Sequence, residues 1–503
     1  MTGLQQPPEG YLGTGARITS GPAPELVEAG YALEIADAPL LHRGLTLADI
    51  AHLVALVECG AVRQADAAPL FATLLDLLDS DAAGFPYDPL YGDAYNSRER
   101  ELERSLGPVA GRLHLGRTRR EAGRIAFRLA LRDRLLRLHA DVADFASQVC
   151  SLATEHAATL WADSTYLQPA QPSTFGHYLG SFAEQAVRHL DRAEAAYGRA
   201  DVSPAGAGGA GGSRLPLDRA RLAALLGFGS VGSHTRDAMW SVDAATDAVT
   251  MAVQAVETIS QLAADLEIFA SPAFGYLTLD SSLCRASVLM PQKRNPYALA
   301  VLRGGAGTLL GRLVSLLATG HTPSARTDNW LYAYSEVINA LELAGRLVRL
   351  ATAVAAGLNP DREVLGEQLV SQFTAAADLA EALTQHFGLD YRTAYRVVGR
   401  AVAVAVDRGE VDLTAELVQA AAEQITGELL PVTADLLTAA TDPVRAVMAR
   451  DAPGGASPRR VREHALGVQR RVEAARCWNT DRRAGIAQAE TALLEAARNL
   501  APP

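Results

Sequence analysis

Apolar residues recur at three- and four-residue intervals along most of this chain, which is the spacing of one face of an α-helix. In residues 45–62, LTLADIAHLVALVECGAV, this period predicts a helix of a small N-terminal domain. From residue 112 to 157 a loop leads into a much longer periodic stretch, with no proline and no glycine after Gly123. Such uninterrupted length predicts one long helix of a bundle.

Further helices of similar spacing complete the predicted bundle. They are expected at about 175–200, 237–272, 296–320 and 331–358. After Asn359 the predicted helices are shorter, because glycines and prolines interrupt the pattern. The arginine-rich segment 459–478 predicts a solvated helix face or a subunit contact. The sequence therefore predicts an all-α fold of three helical domains, the middle one a five-helix bundle, with boundaries at 1–112, 113–358 and 359–503.

Composition narrows the class of protein. The sequence contains no run of about 18 uncharged apolar residues, which is the pattern that predicts a membrane span. The opening MTGLQQPPEG lacks the features of a signal peptide, so we expect a cytoplasmic protein. A formal net charge of -11 argues against nucleic acid as a partner. The four cysteines lack metal-ligand spacing, which predicts reduced thiols and no metal. The glycine-rich segment 203–212 lacks the ending of a phosphate loop, and we expect no cofactor.

Candidate chemistry is concentrated in residues 280–304, DSSLCRASVLMPQKRNPYALAVLRG. The step Met290-Pro291 interrupts any helix there. A serine needs nearby positive charge or dipoles to act as a base, and for Ser287 these would come from Lys293 and the start of the next helix. Asn295-Pro296 predicts that start, with Asn295 as the N-cap and free N–H groups that favour an anion. An ordinary solvated surface loop is the alternative interpretation.

The segment SVLMPQKRNP resembles the signature loop of the aspartase/fumarase superfamily, in which a glycine and two serines precede a Met-Pro step, a lysine and an asparagine. The chain is most similar to argininosuccinate lyase, through blocks that precede the loop in the same order at 100–119, 165–172 and 241–247. On this resemblance Ser287 is the catalytic base. Lys293 and Asn295 hold the developing anion, and Met290 contributes to substrate binding.

The resemblance also implies an architecture and a reaction. Superfamily members have a small N-terminal domain, a bundle of five long helices and a small C-terminal domain, and they form homotetramers whose active sites draw segments from three subunits. In the family reaction a base removes the proton beside a carboxylate and a group leaves the neighbouring carbon, with fumarate as the product. The implied partner is a small-molecule carboxylate substrate.

Several positions of the family's active site are retained and others differ. The retained substrate-binding positions are Thr118, Arg119, Thr165 and Gln171. Tyr166 replaces the histidine of the family's acid/base pair, and Ala300 replaces the glutamate that partners it. A phenol needs no carboxylate to set a tautomer, so Tyr166 either acts directly or merely fills the space of the histidine.

Other departures alter the substrate pocket. They are Ala286, Val288, Tyr95, Arg120 and Ala248, together with segment 322–336, which lacks the Tyr-Asn-Lys pattern of argininosuccinate lyases. Tyr95 and Arg120 stay candidates for substrate contact, and the lost carboxylate-binding cation would be replaced by Arg120, Arg285 or Arg326 unless the substrate has changed.

These residues predict a lyase that eliminates a group next to a carboxylate from a succinyl-type substrate other than argininosuccinate. A leaving group that departs as a stable anion would explain the loss of the acid/base pair, as would a cyclisation or addition that uses Ser287 in reverse. An authentic argininosuccinate lyase and a catalytically inactive binding or structural homologue are the remaining alternatives.

Overall fold

The N-terminal part of the chain is helical, as predicted. The computed structural model describes residues 20–320 and 332–501. The first helices are α1 Pro24–Leu26, a π-helical turn Val27–Tyr31, α2 Ala32–Ala36, α3 Ala38–Glu58, α4 Gln64–Leu78 and α5 Ala94–Leu106. Short 3-10 turns lie at Ala82–Gly84, Pro89–Tyr91 and Gly107–His114. The side chains of α3 and α4, including Leu53 and Phe71, are buried in a core of their own.

The middle of the chain forms the bundle. Its helices are α6 Arg119–Glu155, α7 Phe175–Ala200, α8 Arg219–Leu225, α9 Thr235–Trp240, α10 Asp243–Phe269, α11 Tyr297–Thr319 and α12 Tyr334–Ala356. Five of them are long, and the predicted all-α bundle is confirmed. The single helix expected at 237–272 is wrong at its start, because Ser241 has an extended backbone and its hydroxyl accepts from the Asp243 N–H at 3.4 Å, which starts α10 anew.

Successive long helices run in opposite directions between two ends of the bundle. At one end, which we call the head, the start of α6 meets the start of α12, where the rings of Phe127 and Tyr334 are 4.7 Å apart. At the other end, the foot, the rings of Trp161 and Phe269 are 5.2 Å apart, just after α6 and at the end of α10. Since α6 has 37 residues, head and foot are separated by about 55 Å at a helical rise of about 1.5 Å per residue.

Short strands close the loops between these helices. They pair as β1 Leu160–Thr165 with β2 Gln168–Thr174, β3 Val202–Ser203 with β4 Ser230–Val231, β5 Leu277–Leu279 with β8 Leu358–Pro360, and β6 Arg285–Ala286 with β7 Arg294–Asn295. All pairs are antiparallel except β3 with β4. The hairpins β1–β2 and β6–β7 follow the foot ends of α6 and α10, so both lie towards the foot.

The C-terminal part contains a group of short helices and one long one. They are α13 Arg362–Ser371, α14 Ala376–Phe387, α15 Tyr391–Asp407, α16 Ala415–Thr426, α17 Ala434–Thr441, α18 Pro443–Ala449 and α19 Pro458–Leu500. Helices α14 to α17 bury a separate small core. The expectation of short helices throughout this part is wrong for α19, which has 43 residues.

Helix α19 returns along the bundle. The Asn479 amide donates to the Leu136 carbonyl at 2.8 Å, and Leu493 is buried in the N-terminal core. Its arginine-rich part is solvated on one face only, because Val461, Val468 and Val472 are buried against the bundle at helical spacing. The domain boundaries after residues 112 and 358 stay predictions.

Two helices are long and apolar enough to span a membrane by length and composition, α3 and α11. In α3 83% of that stretch is buried inside the protein, so its apolar residues belong to the core. In α11 only 22% is buried. Exposed apolar residues on α11 are Val301, Leu310, Val314 and Leu317.

Candidate active site

The segment predicted to carry the base folds as the hairpin β6–β7, with Ser287 at the start of its tip. The Ser287 hydroxyl oxygen accepts hydrogen bonds from the backbone N–H groups of Leu289, at 3.3 Å, and Met290, at 3.0 Å. The tip is closed by a hydrogen bond from the Lys293 N–H to the Met290 carbonyl at 3.1 Å. N–H donors aimed at an oxygen favour its charged form, so this tip lowers the cost of deprotonating the serine.

The remaining residues of this hairpin are arranged differently from the sequence prediction. Asn295 is not the N-cap of the next helix, because its side-chain amide donates to the Arg285 carbonyl at 2.9 Å across the hairpin. Helix α11 begins at Tyr297, after Pro296, with no side-chain cap. Lys293 is exposed, and Arg285 stacks over the Tyr297 ring at 5.1 Å.

The tip of the hairpin is apolar and open to solvent in one chain. Val288 and Leu289 are fully or largely exposed, and Met290 is 38% exposed. Large apolar side chains at such a position are costly to leave in water, which indicates a surface that is covered by a ligand or by another chain.

The second predicted segment is the hairpin β1–β2. Its turn consists of Tyr166 and Leu167, with φ values of 56° and 60°, although neither residue is glycine. A two-residue hairpin turn of this kind requires positive φ at both central positions, a conformation that tyrosine and leucine rarely adopt. Tyr166 is 97% exposed, and the flanking Thr165 and Gln171 are exposed as well. In the single chain the turn therefore presents the Tyr166 phenol outward, and a direct role and a space-filling role both stay predictions.

The third group of predicted residues lies at the head. Tyr95, Arg119 and Arg120 line a narrow cleft with about 30 Å³ of room. The other residues of the cleft are Glu34, Asp37, Leu41, Leu45, Asp93, Ala94, Gly123 and Tyr334. The sequence predicted the tyrosine and the arginines, whereas the acidic residues were missed, since each lies in or next to a short helical segment without a motif.

The arginines of the cleft are paired unequally. The guanidinium of Arg120 donates to both carboxylate oxygens of Glu34, at 3.0 and 3.4 Å, and is therefore occupied in the single chain. Arg119 lies 3.6 Å from Asp93, and its side chain is 46% exposed. Arg119 is thus the cation that is freer to bind a substrate carboxylate. Arg326 lies outside the described residues.

Thr118 and Glu121 hold the glycine-rich segment at the head of the bundle through hydrogen bonds. The Thr118 hydroxyl caps α6 by accepting from the Glu121 N–H at 3.4 Å, and it donates to the Gly208 carbonyl at 3.2 Å. The buried Glu121 carboxylate accepts from the N–H groups of Gly206, at 2.7 Å, and Gly208, at 2.6 Å. Both glycines have positive φ. Burial raises the pKa of Glu121 to about 7, against the effects of Arg117 and these two N–H groups.

Beneath the cleft, a buried ion cluster fixes the start of α6. Asp49 on α3 accepts from Arg98 at 2.8 Å and from Arg117, and all three side chains are almost fully buried. Burial alone would raise the pKa of Asp49, but the two guanidinium groups lower it more, so the carboxylate stays charged.

The predicted residues therefore form two groups that one chain cannot bring together. Ser287, Lys293 and Tyr166 lie on the hairpins towards the foot, while Thr118 and Arg119 lie at the head. Helix α6 separates the ends by about 55 Å, far more than the length of a small substrate. Among the described residues, no cluster of three or more His, Cys, Asp or Glu side chains is placed to share a metal ion.

Comparison with known proteins identifies the family. A family model described as lyase matches residues 46–311, and a model of the argininosuccinate lyase C-terminal region matches residues 373–447. The chain belongs to the aspartase/fumarase superfamily. Within this superfamily it is close to argininosuccinate lyase, and it is a lyase of that group.

The relatives cover nearly the whole chain. Argininosuccinate lyase of Methanoculleus marisnigri is 30% identical over 90% of this chain and 92% of its own length. Argininosuccinate lyase 1 of Mesorhizobium japonicum is 32% identical over 78% of this chain and 84% of its own. The solved structure of an EDDS lyase variant with bound fumarate is similar with a TM-score of 0.84 over 96% of both chains, and its sequence is 27% identical to this one. The all-α three-domain fold is thus that of the superfamily's lyases.

Proposed function

We propose that this lyase catalyses a β-elimination next to a carboxylate, cleaving a carbon–nitrogen or similar bond of a succinyl-type substrate other than argininosuccinate and releasing fumarate. Ser287 is the base, and Lys293 with Asn295 supports the developing anion. Tyr166 and Met290 contact the substrate from the foot hairpins, with Thr165 and Gln171. Thr118, Arg119, Arg120 and Tyr95 complete the site from the head.

The observation that carries this proposal is the geometry of the Ser287 hydroxyl. Two backbone N–H groups, of Leu289 and Met290, donate to its oxygen before any substrate binds. Such donors cost no reorganisation when the serine becomes an alkoxide, and in a site closed to water they are strengthened. Turns in which one side-chain oxygen accepts from two following N–H groups also occur in loops and helix caps, so it is the position of this turn in the superfamily's signature loop that gives it a catalytic use here.

The proposed substrate follows from what the head provides. Arg119 offers a partly free cation for a carboxylate, whereas Arg120 is held by Glu34. Besides the paired Glu34, the cleft has Asp37 and Asp93, whose carboxylates would repel a second acid and attract an amine. An amine-bearing succinyl compound fits this mixture of charges. The fumarate bound to the EDDS lyase variant is in keeping with such chemistry.

The site would be completed in a homotetramer in the cytoplasm. Each chain supplies the head group to one site and the foot hairpins to others, which resolves their separation of about 55 Å. The exposed apolar residues of α11 and of the Ser287 hairpin provide the surfaces for assembly.

The experiment is turnover of a panel of N-substituted succinates, with argininosuccinate included and fumarate detected by ultraviolet absorbance. We expect turnover of at least one panel member, little turnover of argininosuccinate, and a loss of about 10³-fold or more in Ser287→Ala. Ser282→Ala, an exposed serine that bonds to Asp280 instead, is the matched control and should keep wild-type activity.

Two outcomes would overturn the proposal in different ways. Turnover that survives in Ser287→Ala within a few-fold would show that another residue is the base. A folded protein that releases fumarate from no substrate in the panel, and adds no amine to fumarate in the reverse direction, would favour cyclisation chemistry or an inactive homologue.

A further inference from the structure

Behind Tyr95 lies a chain of two further titratable side chains that leads away from the cleft. The Tyr95 hydroxyl is hydrogen-bonded to His114 Nδ1, and the two rings meet edge-on at 5.2 Å. His114 Nε2 is 3.3 Å from Glu99 Oε1. Nε2 is buried and has no hydrogen-bond partner among the described residues, so the Glu99 carboxyl is the group that a small rotation would bring onto it.

The state of Glu99 sets which way these hydrogen bonds point. Burial, with the charge of Arg117, lowers the pKa of His114 to about 4, so its imidazole is neutral and carries a single N–H. When Glu99 is ionised, that N–H faces Glu99, and Nδ1 accepts the Tyr95 proton. When Glu99 is protonated, it donates to Nε2, and the N–H at Nδ1 donates to the Tyr95 oxygen. The phenol oxygen then accepts from His114, so its own proton is available to another acceptor.

We infer that Glu99, His114 and Tyr95 form a proton relay that supplies the leaving nitrogen of the substrate. Tyr95 lines the cleft and would touch the substrate, while His114 and Glu99 are positioning residues that act through it. This inference rests on the proposed elimination and assigns its acid. It also explains how the chain can lack the family's acid/base histidine, which Tyr166 replaces, because His114 can pass a proton to the substrate through the Tyr95 hydroxyl.

The proton balance of the step is complete. Ser287, from another subunit, takes the proton from the carbon beside the carboxylate. The carbon–nitrogen bond breaks, its electron pair stays on nitrogen, and nitrogen takes the Tyr95 proton. Tyr95 regains a proton from His114 Nδ1, and His114 regains one at Nε2 from Glu99. Solvent then reprotonates Glu99 and removes the proton from Ser287.

The surroundings of Glu99 keep a protonated fraction available near neutral pH. Burial raises the pKa of Glu99 to about 7, and Glu103 on the same helix, Asp93 and Asp49 add to the rise, while Arg117 opposes it. Burial also raises the pKa of Tyr95 to about 12, so the phenol does not lose its proton by itself. Glu99 is therefore protonated and able to supply a proton below about pH 7, and it loses that proton as the pH rises through this value.

The test is the pH profile of turnover for a succinyl amine in wild type, Glu99→Gln and Glu103→Gln. Wild-type kcat should fall above about pH 7. Glu99→Gln should lower kcat roughly a hundredfold at pH 6 and remove the alkaline fall, with KM within a few-fold. Glu103→Gln is the matched control, one helical turn away and exposed, and should keep the maximal kcat while moving the fall to lower pH.

A second substrate separates this inference from the proposed function. A nitro-substituted succinate expels a stable anion that needs no proton, so its turnover by wild type should lack the alkaline fall, and Glu99→Gln should match wild type. A wild-type alkaline fall that persists in Glu99→Gln, or that is the same for both leaving groups, would overturn the relay but not the elimination. Absence of fumarate from every substrate would overturn the elimination itself.

Discussion

At the scale of single residues, the site depends on charges that are buried and paired. The Asp49 carboxylate pairs with both Arg98 and Arg117, and Arg117 in turn contributes to keeping His114 neutral. Removing one partner of such a cluster leaves the others charged and without solvent, which is far more costly than the pair itself is stabilising.

We therefore predict that Asp49→Asn lowers the stability of the protein by roughly 3–5 kcal/mol. The control is Asp144→Asn, which breaks the solvent-exposed pair with Arg476 and should cost about 1 kcal/mol or less. Urea denaturation followed by circular dichroism compares the midpoints. Equal midpoints for the two variants would mean that the buried cluster contributes no more than a surface ion pair.

At the scale of elements, the connection from α6 through the β1–β2 hairpin to α7 is very tight. A Cβ atom at Gly176 would lie 2.4 Å from the Ala153 carbonyl oxygen and 2.8 Å from Ala157. The absence of a side chain at the start of α7 thus lets the two helices approach closely and sets the direction of the hairpin that carries Tyr166.

Two alanine substitutions in α7 should have opposite effects. Gly176→Ala should destabilise the protein by about 1–3 kcal/mol through overpacking. Gly198→Ala, where nothing lies within 4 Å of the new Cβ, should stabilise it by up to about 1 kcal/mol through helix propensity. Thermal unfolding of the three proteins measures both signs. Stabilisation by both would show that the helix junction has room for a methyl group.

At the scale of the whole molecule, α11 exposes a face that a single chain does not cover. Leu310, Val314 and Leu317 are 46%, 60% and 50% exposed and lie four and three residues apart, on one side of the helix. A stripe of this kind on the central bundle is suited to pack against other copies of the chain.

We predict that Val314→Glu dissociates the proposed homotetramer and abolishes turnover, because it places a charge in the proposed interface and separates head groups from foot hairpins. Leu466→Glu, on α19, changes a leucine that is 65% exposed and serves as the control. Sedimentation velocity gives the mass of each species. A Val314→Glu protein with wild-type mass and activity would rule out this face as the interface.

Much of the architecture could be predicted from the sequence, because helical periodicity is a local property. The bounds of α7, expected at about 175–200, agree with the structure, and the long α6 was identified by its lack of proline and glycine. The signature segment also pointed to Ser287 and to a break around Met290-Pro291. The periodicity of α19 is equally local, but the glycines and prolines that precede it predict short helices in this part of the chain, whereas the structure has one of 43 residues.

What the sequence by itself determined is the set of helices, the superfamily and the identity of the candidate base. Only the tertiary structure decided which groups meet: Asn295 bonds across its own hairpin, Arg120 is held by Glu34, and His114 lies between Tyr95 and Glu99. It also separated the head residues from the foot hairpins along the length of α6. The physical reason is that periodicity records which face of a helix is apolar, whereas the partner of a polar side chain depends on contacts between residues far apart in the chain.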